Sequence, residues 1–384
     1  MRCSLVIPVY NRASLTRECL DRLLASPETR GQELIVVDDC SRDETPALLA
    51  NYGSKIRVVR HAVNMGYGQG INDGTALASR EYIVHLNNDT IPVAGWLDAL
   101  VRYADAHPRA GAVSSKLLNV DGSVQHAGIV FCAQLRPWHL YRWFPADHPA
   151  VNTSRRFQAV TGTSLLVRRE AFARAGGFDA ALGNSYNDVD FCVRLSELGY
   201  ESHLCHESVV YHLEGASKTR TNRDEENYQR CAARWRGRVH EDEWDYYLRD
   251  GLVSVVRHND LLEFVVSPLL GRVRRCDEGA ATEGLLLKQS KQIGTLLREY
   301  IRLRLNTDIP ARRGVEEPGA LAPLPLGAGT DLREAVTELT DLAERVLEHD
   351  AERDALVRRL RWLKHSLPGR AVRALGRLVT RKSA

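Results

Sequence analysis

Near the start of the chain, four short polar clusters carry the residue types from which a ligand site can be built. Pro8-Val9-Tyr10-Asn11, Asp38-Asp39, Asn64-Met65-Gly66 and Asn87-Asn88-Asp89 each follow a run of apolar, largely β-branched residues. Their carboxylates and amides accept hydrogen bonds, and oxygen ligands are what hard divalent cations prefer. Any one cluster alone reads as a turn or a helix cap, where Asn, Asp and Gly are common. Four in succession read as a site, because ligands of open parallel sheets bind beyond the carboxyl ends of the strands.

The elements that must position these clusters alternate strand with helix. Residues 4–9, 33–37, 56–60 and 82–86 are apolar on nearly every position, as strands buried on both faces of a parallel sheet are. Between them, residues 14–25, 45–51 and 70–78 read as helices; the first places Leu15, Cys19, Leu20, Leu23 and Leu24 on one face, with Ser14 as its cap. The expected fold class is therefore α/β, a mostly parallel sheet flanked by helices, of the nucleotide-binding kind. From about residue 111 to 213 strands mix with longer loops. A helix is expected again over residues 188–198, where Asp190 can pair with Arg194 one turn on. Residues 222–305 read as mostly helical, with amphipathic segments around 253–266 and 285–305.

Composition narrows the partners. In 384 residues, 52 Lys and Arg against 49 Asp and Glu leave a net charge of +3, too little to make nucleic acid the main partner. No apolar run approaches the roughly 18 residues of a membrane-spanning helix, and MRCSLVIPVY opens directly into a strand, so a cytoplasmic location is expected. The 8 cysteines are scattered without paired spacing and read as reduced thiols. Residues 307–330 are rich in Pro, Gly and Ala, as linkers are. Beyond them Leu332, Val336, Leu339, Ala343 and Val346 keep a spacing that allows a short coiled coil, and hence association of two copies through the C-terminal helices. Residues 356–384 interleave Arg and Lys with Leu and Val and contain no acidic residue. They read either as a basic amphipathic helix for an anionic membrane surface or as a solvated face packed on protein.

A set of ordered motifs carries a stronger signal. LVIPVYN (5–11), LIVVDDCSRDET (34–45), NMGYGQGINDG (64–74), YIVHLNNDTIP (82–92), VTGTSLLVRREAF (160–172), GGFD (176–179), YNDVDFCVRLSELGY (186–200) and VVYHLEGAS (209–217) resemble the motif set of the family 2 inverting glycosyltransferases of GT-A fold. The similarity is greatest to the branch that builds bacterial surface polysaccharides, rhamnosyltransferases among them. It covers roughly residues 3–218.

The resemblance implies a nucleoside-diphosphate sugar donor, UDP- or dTDP-linked, bound by Pro8, Tyr10, Asp39 and the stretch holding Asn64, Gly66 and Asn72, with Asn88 and Asp89 beyond. Asp39 would accept a hydrogen bond from the base, and Asp43 would cap the following helix. Asn87-Asn88-Asp89 stands where the family has its Asp-x-Asp metal motif, with an amide in place of the first carboxylate. Asp89 and His212 are the implied ligands of Mg²⁺ or Mn²⁺. Asp188 is the implied base that removes the acceptor's hydroxyl proton, with Asn187 in place of the usual acid before it. The acceptor would be a cell-surface glycan or a lipid-linked sugar. His126, in DGSVQHAGIVF, is either a groove residue or a packed hairpin histidine, and Trp138, Tyr141 and Trp143 either stack on a sugar or anchor their own loop.

The expected organisation is a catalytic domain over residues 1–250, a helical extension over 251–306, the linker over 307–330 and a helical basic end over 331–384. Two alternatives accompany this reading. Asn87 and Asn187 make an inactive glycan- or nucleotide-binding scaffold thinkable. A sugar nucleotidyltransferase is disfavoured, because no Gly-rich basic loop follows the first strand.

Overall fold

The computed structural model describes residues 2–132, 135–213, 224–258 and 261–270. The chain divides into two units, Met1–Glu241 and Asp242–Ala384.

The first unit is built on strands β1 (Cys3–Val9), β2 (Glu33–Asp38), β3 (Arg57–Arg60), β4 (Tyr82–Leu86), β5 (Thr90–Pro92), β6 (Ala110–Leu118), β7 (Val124–His126), β8 (Ile129–Phe131), β9 (Pro137–His139), β10 (Arg155–Phe157), β11 (Ser164–Arg168) and β12 (Glu201–His212). Its helices are α1 (Ala13–Ala25), α2 (Thr45–Ala50), α3 (Tyr67–Ala76), α4 (Trp96–Ala106), α5 (Arg169–Arg174), α6 (Asn187–Glu197) and α7 (Asp224–Trp235). The main sheet runs β10-β12-β6-β11-β4-β1-β2-β3, with β5 paired to β12 and β7 to β6. β4, β1, β2 and β3 are parallel, while β11 lies antiparallel between β4 and β6. This is the expected α/β architecture, a sheet with a parallel half flanked by helices.

The apolar runs explain the layers. Leu5, Ile7, Val36, Val84 and Leu86 point to one face, where Leu20 and Leu23 of α1 and Trp96, Leu97 and Leu100 of α4 bury them. Each such aliphatic side chain contributes about 1.5–3 kcal/mol on burial. On the other face α3 packs closely, because a Cβ at Gly74 would run into Val6 and Val37. β12 is long and bulged between Cys205 and Val209, and its last residues pair with β5, His212 opposite Thr90. That register carries His212 to Asp89.

Two expectations change. Ser14 does not cap α1: the helix begins at Ala13, and the Ala13 N–H is accepted by Asp43 Oδ2 at 3.1 Å, so a residue distant in sequence does the capping. In the second unit, helix α8 (Glu243–Arg249) is followed by β13 (Val253–His258) and β14 (Leu261–Val266), an antiparallel pair where an amphipathic helix was expected over residues 253–266. Two six-residue strands rich in Val and Leu satisfy each other's backbone groups there, and β-branched content favours the pair. The segments at 285–305, the linker, the heptad-like stretch and the basic tail lie outside the described residues.

Candidate active site

The four strand-end clusters open onto one cleft of about 1340 Å³ in the first unit. Pro8, Tyr10, Asp39, Asn64, Gly66, Asn88, Asp89, Asp188 and His212 all line it. Asn72 does not: its amide donates to the Phe178 carbonyl and accepts from the Phe178 N–H, both at 2.8 Å, so it pins the Gly177-Phe178 turn behind the cleft.

One end of the cleft is held by Asp39. Its Oδ1 accepts from the Met65 N–H at 2.7 Å and its Oδ2 from the Gly66 N–H at 2.9 Å. His61 bridges Asp39 Oδ1 at 2.8 Å and Asp73 Oδ2 at 3.0 Å. Asp39 therefore ties the loop after β3 to the end of β2, and that loop leads into α3. Gly66 is required at its position by φ +84°. Asp38 serves the turn instead, accepting from the Ser41 N–H at 2.8 Å. Asp43 also accepts from the Thr45 N–H at 2.9 Å at the start of α2, as expected of a cap.

Asp89 and His212 meet at the middle: Asp89 Oδ1 is 3.2 Å from His212 Nε2. Two neighbouring ligands of an octahedral cation at about 2.1 Å stand ~3 Å apart, so the pair has the spacing of adjacent metal ligands. Among the described residues no cluster of three or more His, Cys, Asp and Glu forms a closed cage. Two protein ligands with the remainder left to a ligand and water is the arrangement Mg²⁺ adopts with phosphates. The Oδ1 of Asn87, buried beside them, has no hydrogen-bond partner. The cleft lining counts Asp39, Asp89, Asp188 and Asp224 against Arg12 and Arg142, an acidic surround that suits a cation.

Asp188 stands at the first turn of α6, half-buried. Its Oδ2 accepts from the Gly162 N–H at 2.8 Å and its Oδ1 from the Val189 N–H at 2.9 Å. Burial raises its pKa above the ordinary carboxylate value, an effect these N–H donors partly offset. Tyr67 packs at the same point: its hydroxyl donates to the Gly162 carbonyl at 3.0 Å. Its phenol is pushed up by burial and then by the charges of Asp188 and Asp89, so it stays protonated. Thr161-Gly162-Thr163 thus forms a wall of the cleft and an anchor for Asp188.

α6 is locked from behind. Asp190, wholly buried, pairs with Arg194 at 2.9 Å as its spacing suggested, and also with Arg234 of α7 at 2.8 Å. Asn187, at 2% exposure, donates to the Gly183 carbonyl at 2.8 Å and packs so closely on α3 that a Cβ at Gly68 would lie 2.7 Å from its Oδ1.

His126 is the packed alternative, fully buried and off the cleft; its Nδ1 meets His139 Nδ1 at 2.9 Å, and His139 is the histidine that lines the wall. Trp138 and Trp143 also line it, while Tyr141 is buried as a loop anchor. Arg12, Tyr67 and Gln125 are lining residues that the sequence reading passed over. Arg12 follows the first cluster directly, and Gln125 is the neighbour of His126 on a strand, where adjacent side chains face opposite ways.

With this geometry in view, residues 4–172 match the family Glycosyl transferase family 2. The chain is similar to the O-antigen biosynthesis protein RfbC of Myxococcus xanthus, 34% identical over 227 residues, which cover 56% of this chain and 18% of RfbC. It is also similar to the N-acetylglucosaminyl-diphospho-decaprenol L-rhamnosyltransferase of Mycobacterium tuberculosis, 27% identical over 240 residues, 56% of this chain and 78% of that one. Among solved structures, that of GalNAc-T7 with UDP, GalNAc and Mn²⁺ aligns with TM-score 0.49 and 16% identity over 61% of this chain and 48% of its own.

Proposed function

We propose that the protein, whose residues 4–172 match the glycosyl transferase family 2 model, transfers a sugar, with inversion, from a nucleoside-diphosphate donor to a hydroxyl of a glycan or lipid-linked acceptor. UDP- and dTDP-sugars are the donors proposed. The observation that carries this reading is the convergence of Asp39, Asp89, Asp188 and His212 on a single cleft.

The chemistry follows from the placement. The diphosphate lies toward Asp89 and His212, and the base and ribose toward Pro8, Tyr10 and Asn64. Asp188 Oδ takes the proton of the acceptor hydroxyl as its oxygen bonds to the anomeric carbon. The anomeric carbon–oxygen bond breaks on the opposite face, and its electron pair leaves on the diphosphate. A carboxylate whose pKa burial has raised is a better base for an alcohol than an exposed one. A diphosphate would be repelled by an acidic lining, so Asp89 and His212 are assigned to Mg²⁺ or Mn²⁺, which when bound offsets the charge on the leaving group. Gly162 and Val189 keep Asp188 oriented throughout.

No helix among the described residues is long and apolar enough to cross a membrane. A lipid-linked acceptor would then be reached from the surface, for which the basic residues 356–384 are proposed.

The test is a thermal-shift screen of UDP, dTDP and GDP with and without Mn²⁺, followed by NMR of the product formed from the stabilising donor. A shift for one nucleotide that grows with Mn²⁺, and a product of inverted anomeric configuration, are expected. The absence of any shift, or retention of configuration, would overturn the reading.

A further inference from the structure

Gln125 occupies the second residue of the three-residue strand β7 and is 4% exposed. Its Nε2 faces two acceptors, Asn119 Oδ1 at 3.2 Å and the His212 carbonyl at 3.3 Å. An amide nitrogen belongs between two such acceptors and an amide oxygen does not, so these contacts fix which way the amide points. Its Oε1 then lies 2.7 Å from His212 Nδ1. An amide oxygen only accepts, so Nδ1 must be the nitrogen that carries a proton.

We propose that Gln125 is the positioning residue that sets the tautomer and ring orientation of His212, leaving the Nε2 lone pair directed at the metal site beside Asp89. This rests on the assignment of Asp89 and His212 as metal ligands and adds to it. In the other neutral tautomer the Nε2–H would donate to Asp89, 3.2 Å away, and both ligands would be lost to each other. Gln125 removes that option: Nδ1 deprotonated would set a lone pair against the Oε1 lone pairs at hydrogen-bond distance. The carbonyl of His212 accepts from the same Gln125 amide, so backbone and ring of one residue are gripped together. Partners of this kind behind a ligating histidine are worth 10–100-fold in metal affinity.

The experiment uses the full chain and two readouts. Mn²⁺ affinity is measured by electron paramagnetic resonance for the wild type, Gln125→Leu and Gln125→Glu. The imidazole nitrogens are followed by ¹⁵N NMR of metal-free protein, with His212 assigned by its loss in His212→Gln. Expected are a protonated Nδ1 and bare Nε2 in the wild type, roughly 10–100-fold weaker Mn²⁺ binding with a protonated Nε2 in Gln125→Leu, and a protonated Nδ1 with affinity partly restored in Gln125→Glu, whose carboxylate accepts from Nδ1 but cannot donate to Asn119 Oδ1 and the His212 carbonyl. Glu keeps an acceptor toward Nδ1, so a loss caused only by misfolding would not be rescued. Wild-type Mn²⁺ binding left unchanged in Gln125→Leu, or a bare Nδ1 in the wild type, overturns the proposal for Gln125 alone. A wild type that binds no Mn²⁺ overturns the metal assignment, and the role of Gln125 with it.

Discussion

Asp190 Oδ1 and Arg234 Nη1 lie 2.8 Å apart, joining α6 to α7 two residues beyond Asp188. The same carboxylate binds Arg194 at 2.9 Å through its other oxygen, and Arg234 reaches on to Asp179 at 3.0 Å. The first turn of α6, which presents Asp188, is thus mounted on a buried ion network rather than on apolar packing alone.

Removing the centre of that network leaves Arg194 and Arg234 partly buried without their shared partner. Asp190→Ala should lose about 3–5 kcal/mol of stability, the usual result of breaking a buried pair from one side. Urea unfolding checks it. A loss below about 1 kcal/mol would mean that water reaches these guanidiniums.

Asp188→Asn should remove turnover by a factor of about 10²–10⁴, the ordinary worth of a general base. Its stability effect runs the other way. The folded-state pKa of Asp188 is raised, so ionisation costs stability as pH climbs from the unfolded value near 3.9 through the folded one. The variant should therefore be as stable as the wild type or more so at pH 7, with the difference vanishing below about pH 4. Thermal melts across pH test this, and a variant less stable at pH 7 contradicts it. The acid limb of the wild-type rate profile should fall above the ordinary carboxylate range.

Asp89→Asn should leave the fold intact and abolish the dependence of nucleotide binding on Mn²⁺, because the pair with His212 loses its charge. Chelation of the wild type should reproduce the effect and added Mn²⁺ should reverse it. Calorimetric titration of UDP with and without Mn²⁺ measures both. Equal Mn²⁺ dependence in Asp89→Asn and wild type would exclude Asp89 as a ligand.

Gly68→Ala tests whether α3 sets the position of α6. The new Cβ would stand 2.7 Å from Asn187 Oδ1, so Asn187, and Asp188 beside it, must move. Overpacking of this sort costs about 1–3 kcal/mol. Turnover should drop more than nucleotide affinity does. A variant with wild-type kcat would show that Asp188 is held by Gly162 and Val189 without help from α3.

Much of this was open to sequence reading, for reasons that particular residues make plain. Residues 4–9 and 82–86 announce buried strands because nearly every position is apolar, as covering both faces demands, and β4 has the expected bounds. Asp190 and Arg194 announce their pairing because a helix fixes the distance between residues four apart. Less local relations did not show. Asn72 sits in a promising motif, yet its partner is Phe178, 106 residues away. His126 was singled out while Gln125 was not, and only the pairing of β7 to β6 says which of two neighbours turns toward the cleft. Residues 253–266 contain two Val-rich halves around Asn259-Asp260, and strand pairing between the halves outweighed the helical period read there.

By itself, then, the order of residue types determined the strand ends, the alternation that makes them parallel and the carboxylates and amides available to a ligand, because these depend on local stereochemistry and solvent exclusion. Tertiary structure alone decided that Asp89 meets His212, that Asp39 and Asp190 are committed to holding elements together, and which nitrogen of His212 carries its proton. Those contacts join residues 27 apart for Asp39 and Gly66, 44 apart for Asp190 and Arg234 and 87 apart for Gln125 and His212, and no local preference encodes a distance between segments that only packing brings together.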